Sequence, residues 1–133
     1  MIKSLQKAIY IRKIKTALKQ ATGIDSSILW SDLLSGYATI EHAIADKQTP
    51  EETILKHRGN RFKYYVSLND YKSAKSSYMI CLPLMSAHKW YQISDKWRDQ
   101  GLVSKSVYKK FRTRLEKVEE KWPDMFTENY SQL

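Results

Sequence analysis

Apolar residues recur every three or four positions through much of this chain, the spacing that places side chains on one face of an α-helix. The clearest run comprises Val107, Phe111, Leu115, Val118 and Trp122. Glycine and proline, which the turns of a sandwich or barrel require, number only four and three in 133 residues. The sequence therefore predicts a mainly α, compact helical domain.

Three further apolar runs predict helices elsewhere. They comprise Ile11, Ile14, Leu18 and Ala21; then Leu29, Leu33, Tyr37, Ile40 and Ile44; and then Trp90, Ile93 and Trp97. Another helix is predicted to start at Thr49-Pro50-Glu51-Glu52, which has a capping side chain, a proline suited to the first helical position and two early acids. Gly59-Asn60 is expected to end that helix after a short run.

The apolar period changes after Gly59, and this change predicts a small inserted β-hairpin. Phe62, Tyr64, Val66 and Leu68 alternate with more polar neighbours, as expected for a half-buried strand. A second apolar run, Tyr78–Leu82, is its expected antiparallel partner, with Pro83 closing the strand at an edge. The alternative is a helix over Tyr71–Met85 that Pro83 interrupts, and the short apolar run does not decide between the two.

We expect residues 1–133 to form a single domain, because no linker or internal repeat divides them. Within it we expect an N-terminal helical pair (1–48), a short helix plus β-hairpin (49–85), a helix-turn-helix-like pair (86–123) and a tail (124–133).

A formal net charge of +9 and a pI near 9.6 indicate a polyanionic partner, of which nucleic acid is the first candidate. An aromatic content of 12% excludes a disordered basic tail. The first 23 residues contain no acid, and Arg12, Lys15 and Lys19 recur on one helical face. These three residues are predicted to anchor phosphates.

The segment from Trp97 through Gly101 to Val107 fits a helix, a glycine turn and a second helix, which is the pattern of a DNA-binding helix-turn-helix. The second helix carries Lys105, Lys109, Arg112 and Arg114, whereas its acids Glu116, Glu119 and Glu120 follow in the C-terminal half. Cations near a helix start oppose the helix dipole, so stability alone does not favour this order, whereas contact with DNA phosphates does. The alternative is an ordinary α-hairpin with a solvated basic face.

A second basic cluster lies in residues 57–65, where Arg58, Arg61 and Lys63 alternate with aromatic residues around Gly59. Cations grip phosphates and aromatic rings stack on unpaired bases, so a turn here would suit RNA or a single strand. The alternative assigns Phe62 and Tyr64 to the core and leaves a solvated basic turn.

The sequence contains no catalytic motif. The three histidines and Cys81 do not have zinc-ligand spacing, and neither a glycine-rich phosphate loop nor a nucleophile elbow is present. We therefore predict no enzyme activity, no cofactor and no metal. A single cysteine fits a reducing, intracellular compartment, and the absence of a long apolar run predicts a cytoplasmic protein without a membrane span.

The sequence thus predicts a small basic nucleic-acid-binding protein, a regulatory or accessory factor that contacts DNA, favoured over RNA, through its C-terminal helix. The principal alternative is a protein-binding module or inhibitor that docks on an acidic protein surface, since Tyr, Trp and Arg are also favoured interface anchors. Oligomeric state is not encoded in any pattern that we find.

Overall fold

The computed structural model describes residues 2–23, 37–68, 70, 72 and 87–123. These residues form five helices and no strand, which confirms the mainly α prediction. The helices are α1 (Ile2–Thr22), α2 (Tyr37–Ala45), α3 (Pro50–Ser67), α4 (Ala87–Asp99) and α5 (Lys105–Lys121). Of the predicted second helix, the part from Tyr37 onward is α2, and Leu29 and Leu33 lie outside the described residues.

Helix α3 begins as the sequence predicts. The hydroxyl of Thr49 accepts a hydrogen bond from the Glu52 backbone N–H at 3.1 Å, and the Glu52 carboxylate accepts one from the Thr49 backbone N–H, also at 3.1 Å. This reciprocal capping box satisfies two N–H groups, and Pro50 occupies the first helical position, where no N–H is needed.

The predicted strand at Phe62–Leu68 is wrong, because α3 continues through Gly59 and ends at Ser67. Phe62 and Val66 are four residues apart and so share one helical face, whereas Tyr64, which the strand prediction placed with them, is 49% exposed. Phe62 is fully buried on that face with Ile54. The predicted partner strand Tyr78–Leu82, and most of the alternative helix Tyr71–Met85, lie outside the described residues.

The helix continues through Gly59, and a neighbouring helix packs closely against this residue, which has no side chain. A Cβ added at Gly59 would lie 3.3 Å from Cδ of Arg114 and 3.8 Å from the ring of Phe111, both in α5. Glycine in a helix interior costs about 1 kcal/mol relative to alanine. The close approach of α5 at Gly59 favours glycine there in spite of this cost. The prediction of a basic turn at residues 57–65 is wrong, because this segment is helical.

Helices α3 and α5 lie side by side and run parallel. Glu52 accepts a hydrogen bond from the Ser104 backbone N–H near the start of both helices. Gly59 faces Arg114 in the middle, and Lys121 donates to the carbonyl oxygens of Val66 and Leu68 at the far end. Contacts therefore extend over the whole length of the pair.

The core lies between this pair and the other helices. Phe111 is at its centre, with ring centroids 5.8 Å from Phe62 of α3 and 6.2 Å from Trp90 of α4. Helix α1 adds the buried Ile14 and Leu18. The remaining buried apolar residues of this core are Ile40, Ile54, Leu55, Ile93, Trp97, Val103, Leu115 and Val118.

Helices α4 and α5 form the predicted pair with a glycine turn. Gly101 has φ +73°, which glycine adopts without strain, and the Leu102 N–H bonds to the Trp97 carbonyl at 2.9 Å. Ser104 caps α5 by accepting from the Val107 N–H. Far from this turn, the Tyr91 hydroxyl of α4 still donates to Glu119 of α5 at 2.9 Å, which is typical of an antiparallel α-hairpin and not of the steeply crossed helices of a helix-turn-helix.

Candidate functional site

An open groove of about 650 Å³ lies along α3 and α5. Its described lining residues are Lys63, Val66, Ser106, Lys109, Lys110, Thr113, Arg114 and Lys117. Five of these eight side chains are cationic and none is acidic. We call this feature the basic groove.

Both helices contribute to the basic groove because they run parallel. On α5 the lining positions recur every three or four residues from Ser106 to Lys117, so they form one helical face about 16 Å long at 1.5 Å per residue. Lys63 and Val66 of α3 face them. A smaller recess of about 180 Å³ lies next to the groove and shares Ser106, Lys110 and Arg114 with it.

The lysines of the groove have no acidic partner among the residues that the structure describes. Each of the four, Lys63, Lys109, Lys110 and Lys117, forms no ion pair there. Lys109 and Lys110 are exposed, as are Lys63 and Lys117. Uncompensated charge of one sign in a concave surface focuses the field and attracts anions.

Arg114 is fixed in the groove by a neutral partner. Its Nη1 donates to Oδ1 of Asn60 at 2.6 Å, and its aliphatic stem passes over Gly59. An amide orients the guanidinium without neutralising its charge.

Arg112 lies on the other side of α5 and is engaged with α4. Its Nη1 donates to Oδ1 of Asp95 at 2.6 Å and to the Tyr108 hydroxyl oxygen at 2.7 Å. Its guanidinium also lies 4.5 Å from the Tyr91 ring centroid. Arg112 is a half-buried structural residue, and it does not line the basic groove.

The same seam between α4 and α5 contains two tyrosines of altered acidity. Tyr91 donates to Oε2 of Glu119 at 2.9 Å, and Tyr108 donates to Oδ1 of Asp95 at 2.6 Å. Burial and the neighbouring carboxylate raise the pKa of each phenol. Both side chains are therefore neutral donors at physiological pH.

The predicted cluster at residues 57–65 separates in the structure. Arg58 is 3% exposed and its Nη2 lies 3.0 Å from Nδ1 of His57, so it belongs to the interior. Arg61 is half-buried and is not among the groove residues. Of the three predicted cations of this cluster, Lys63 alone lines the basic groove.

The predicted phosphate anchors of α1 lie elsewhere. Arg12 borders a separate depression of about 430 Å³ whose lining includes Glu51. Lys15 is half-buried, and both Lys15 and Lys19 already take part in intramolecular contacts. The α1 cations thus do not form an acid-free surface like that of the groove.

Of the predicted α5 cations, Lys109 and Arg114 line the groove, and Lys105 is exposed at the start of the helix. The sequence argument did not select Lys110 or Lys117. Lys110 and Lys117 lie four and three residues from Arg114, a spacing that indicates one shared helical face. No sequence pattern indicated that Lys63 would lie opposite them.

Among the residues that the structure describes, no group of three or more His, Cys, Asp or Glu side chains is placed to hold a metal ion. None of the described helices is long and apolar enough to cross a membrane.

Comparison with known proteins found no matching family model, no matching curated protein and no matching solved structure.

Proposed function

We propose that this protein binds nucleic acid and that the basic groove holds the phosphate backbone. The observation that carries this proposal is the convergence of cations from two helices on one groove whose described lining contains no acid. Phosphate oxygens along a strand are the anions that such a linear array of lysines suits.

The cost of the arrangement supports a ligand. Lys105 and Lys109, and likewise Lys110 and Arg114, are like charges four residues apart on α5, a spacing that destabilises a helix by about 0.2–0.5 kcal/mol per pair. The first turn of α5 also contains no acid, although acids there would stabilise the helix dipole. These costs are offset when an anion occupies the groove.

The proposed contact with nucleic acid lies in the groove between α3 and α5, and not on the exposed face of α5 that the sequence analysis favoured. In the sequence-based hypothesis, α5 acts as a recognition helix and Lys63 belongs to a different site. In the present one, Lys63 and the α5 lysines contact one backbone together, so both walls contribute to affinity.

The test is a titration against labelled duplex DNA, single-stranded DNA and RNA between 50 and 200 mM salt. Five phosphate contacts predict a slope of about −4.5 for log affinity against log salt on duplex, at ~0.9 per contact. Lys63→Gln with Lys110→Gln removes one cation from each wall and should reduce the slope by about 1.8.

The matched control is Lys47→Gln with Lys96→Gln, which lowers the net charge equally at two exposed positions outside the groove. We expect its affinity and slope to stay close to those of the wild type. Equal losses in both double variants would assign binding to net charge and contradict the groove. No binding to any nucleic acid at 50 mM salt would overturn the proposal in favour of an acidic protein partner.

A further inference from the structure

Arg114 differs from the other groove cations in being held in place. Its Nη1 donates to the Asn60 carbonyl oxygen at 2.6 Å, and the absence of a side chain at Gly59 leaves room for its stem. The four groove lysines have no such partner among the described residues. They are flexible ammonium groups, whereas Arg114 presents a planar fork in a defined position.

The position of Arg114 is central. It lines both the basic groove and the adjoining recess, and it crosses from α5 to α3 at their close approach. A ligand that lies along the groove must pass this guanidinium.

The choice of partner preserves the charge of the guanidinium. Asn60 uses one of the five N–H donors of Arg114 and contributes no negative charge. Arg112, on the same helix, is instead paired with the Asp95 carboxylate. The guanidinium of Arg114 thus keeps its full positive charge, and its remaining N–H donors have a fixed direction. This arrangement favours bidentate binding of a phosphate group.

We infer that Arg114 is the fixed phosphate-binding contact of the basic groove and that Asn60 and Gly59 position it. This inference rests on the proposed function and adds to it the residue that binds a single phosphodiester by a fork rather than by charge alone. Asn60 itself is a positioning residue.

Three variants test the inference on whichever of duplex DNA, single-stranded DNA and RNA the wild-type protein binds most tightly. Arg114→Lys keeps the charge but removes the fork, and we expect about a tenfold loss of affinity with an unchanged salt slope. Asn60→Ala leaves the guanidinium mobile, and we expect about a fivefold loss, because a long side chain must then be ordered on binding. Asn60→Asp places a carboxylate against Arg114 at nearly constant shape, and we expect it to weaken binding more than Asn60→Ala does.

Two readouts separate positioning from structural support. In Asn60→Ala combined with Arg114→Lys, the loss should be smaller than the product of the two single losses, because both act through one contact. Lys117→Gln serves as a control in which the salt slope does fall. Thermal unfolding of each variant shows whether the fold is retained.

The outcomes distinguish the inference from the function. If Arg114→Lys and Asn60→Asp bind like the wild type while Lys63→Gln with Lys110→Gln weakens binding, Arg114 is no special contact and the inference fails alone. If Asn60→Ala lowers the unfolding temperature without changing affinity, the Asn60 to Arg114 bond is only a helix-to-helix link, which also overturns it. Absence of nucleic-acid binding by the wild-type protein removes the proposed function as well.

Discussion

The two sides of α5 use cations in different ways. Toward α4, Arg112 meets the Asp95 carboxylate and the faces of two tyrosines. Toward α3, Lys109 and Lys110 face a groove without an acid among its described lining residues. The comparison shows that the number of basic residues on a helix does not identify a binding surface. We propose that the residues without an intramolecular anion identify it instead.

The largest effect is expected from reversing charge in the groove. Lys109→Glu with Lys110→Glu should lower nucleic-acid affinity by at least about 100-fold, because two phosphate contacts become repulsive. The unfolding temperature should stay the same or rise slightly, since like-charge repulsion on α5 is relieved. Fluorescence anisotropy measures the affinity and calorimetry measures the unfolding temperature. A large fall in the unfolding temperature would contradict the view that these lysines do not stabilise the fold.

The opposite result is expected on the α4 side. Arg112→Leu should cost about 2 kcal/mol of stability, less than a fully buried pair would, because the Arg112 side chain is 27% exposed. Affinity for nucleic acid should change by less than about twofold, as the residue does not line the groove. Chemical denaturation and a binding titration check this prediction. If affinity falls as far as it does for the groove lysines, the distinction between the two sides is lost.

A smaller effect is expected where α3 and α5 begin. Burial opposes ionisation of Glu52, but hydrogen bonds from Thr49 and Ser104 outweigh it and lower the pKa of the Glu52 carboxyl below its ordinary value of 4.5. The stabilisation is therefore present above about pH 4.5 and is lost as the pH falls through the lowered pKa.

Glu52→Gln should cost about 1 kcal/mol at neutral pH, the usual value for a cap. It should also remove part of the loss of stability on acidification below pH 4.5. Thermal unfolding between pH 3 and 7, at about equal ionic strength throughout, gives both numbers. Parallel curves for wild type and variant would show that Glu52 does not titrate differently in the folded state.

The smallest effect on stability is expected at the edge of the seam between α4 and α5. Tyr91→Phe removes the hydrogen bond to the exposed Glu119 and should cost about 0.5 kcal/mol, with the ring still covering Arg112. Tyr91→Ala should cost more, because that cover is lost. Denaturant midpoints of the two variants measure the difference, and equal costs would mean that the ring contributes nothing to holding Arg112.

Local signals in the sequence were reliable where the physics is local. The start of α3 at Thr49-Pro50-Glu51-Glu52 and the turn at Gly101 both involve groups within a few residues of one another. These features were predicted correctly, because capping bonds and positive φ leave a direct signature in residue type.

The misassigned elements depended on distant residues. Gly59-Asn60 is typical of a helix stop in sequence, and nothing near it in the chain indicates that Arg114 and Phe111, over 50 positions away, lie against Gly59 inside a continuous helix. The basic groove has the same origin. Lys63 and Lys109 were each selected from the sequence, but as parts of two sites, because helical period gives the face of a residue and says nothing of which other helix it meets.

The paired ends of α3 and α5 have a consequence for the rate of binding. One carboxylate, Glu52, joins the helix starts, and one ammonium group, Lys121, holds the two carbonyl oxygens at the other end. The separation of the groove walls is thus set before any ligand arrives. Under the proposed function, association should require no opening step, so its rate should be governed by diffusion and by the attraction of the lysines, and should fall steeply with ionic strength.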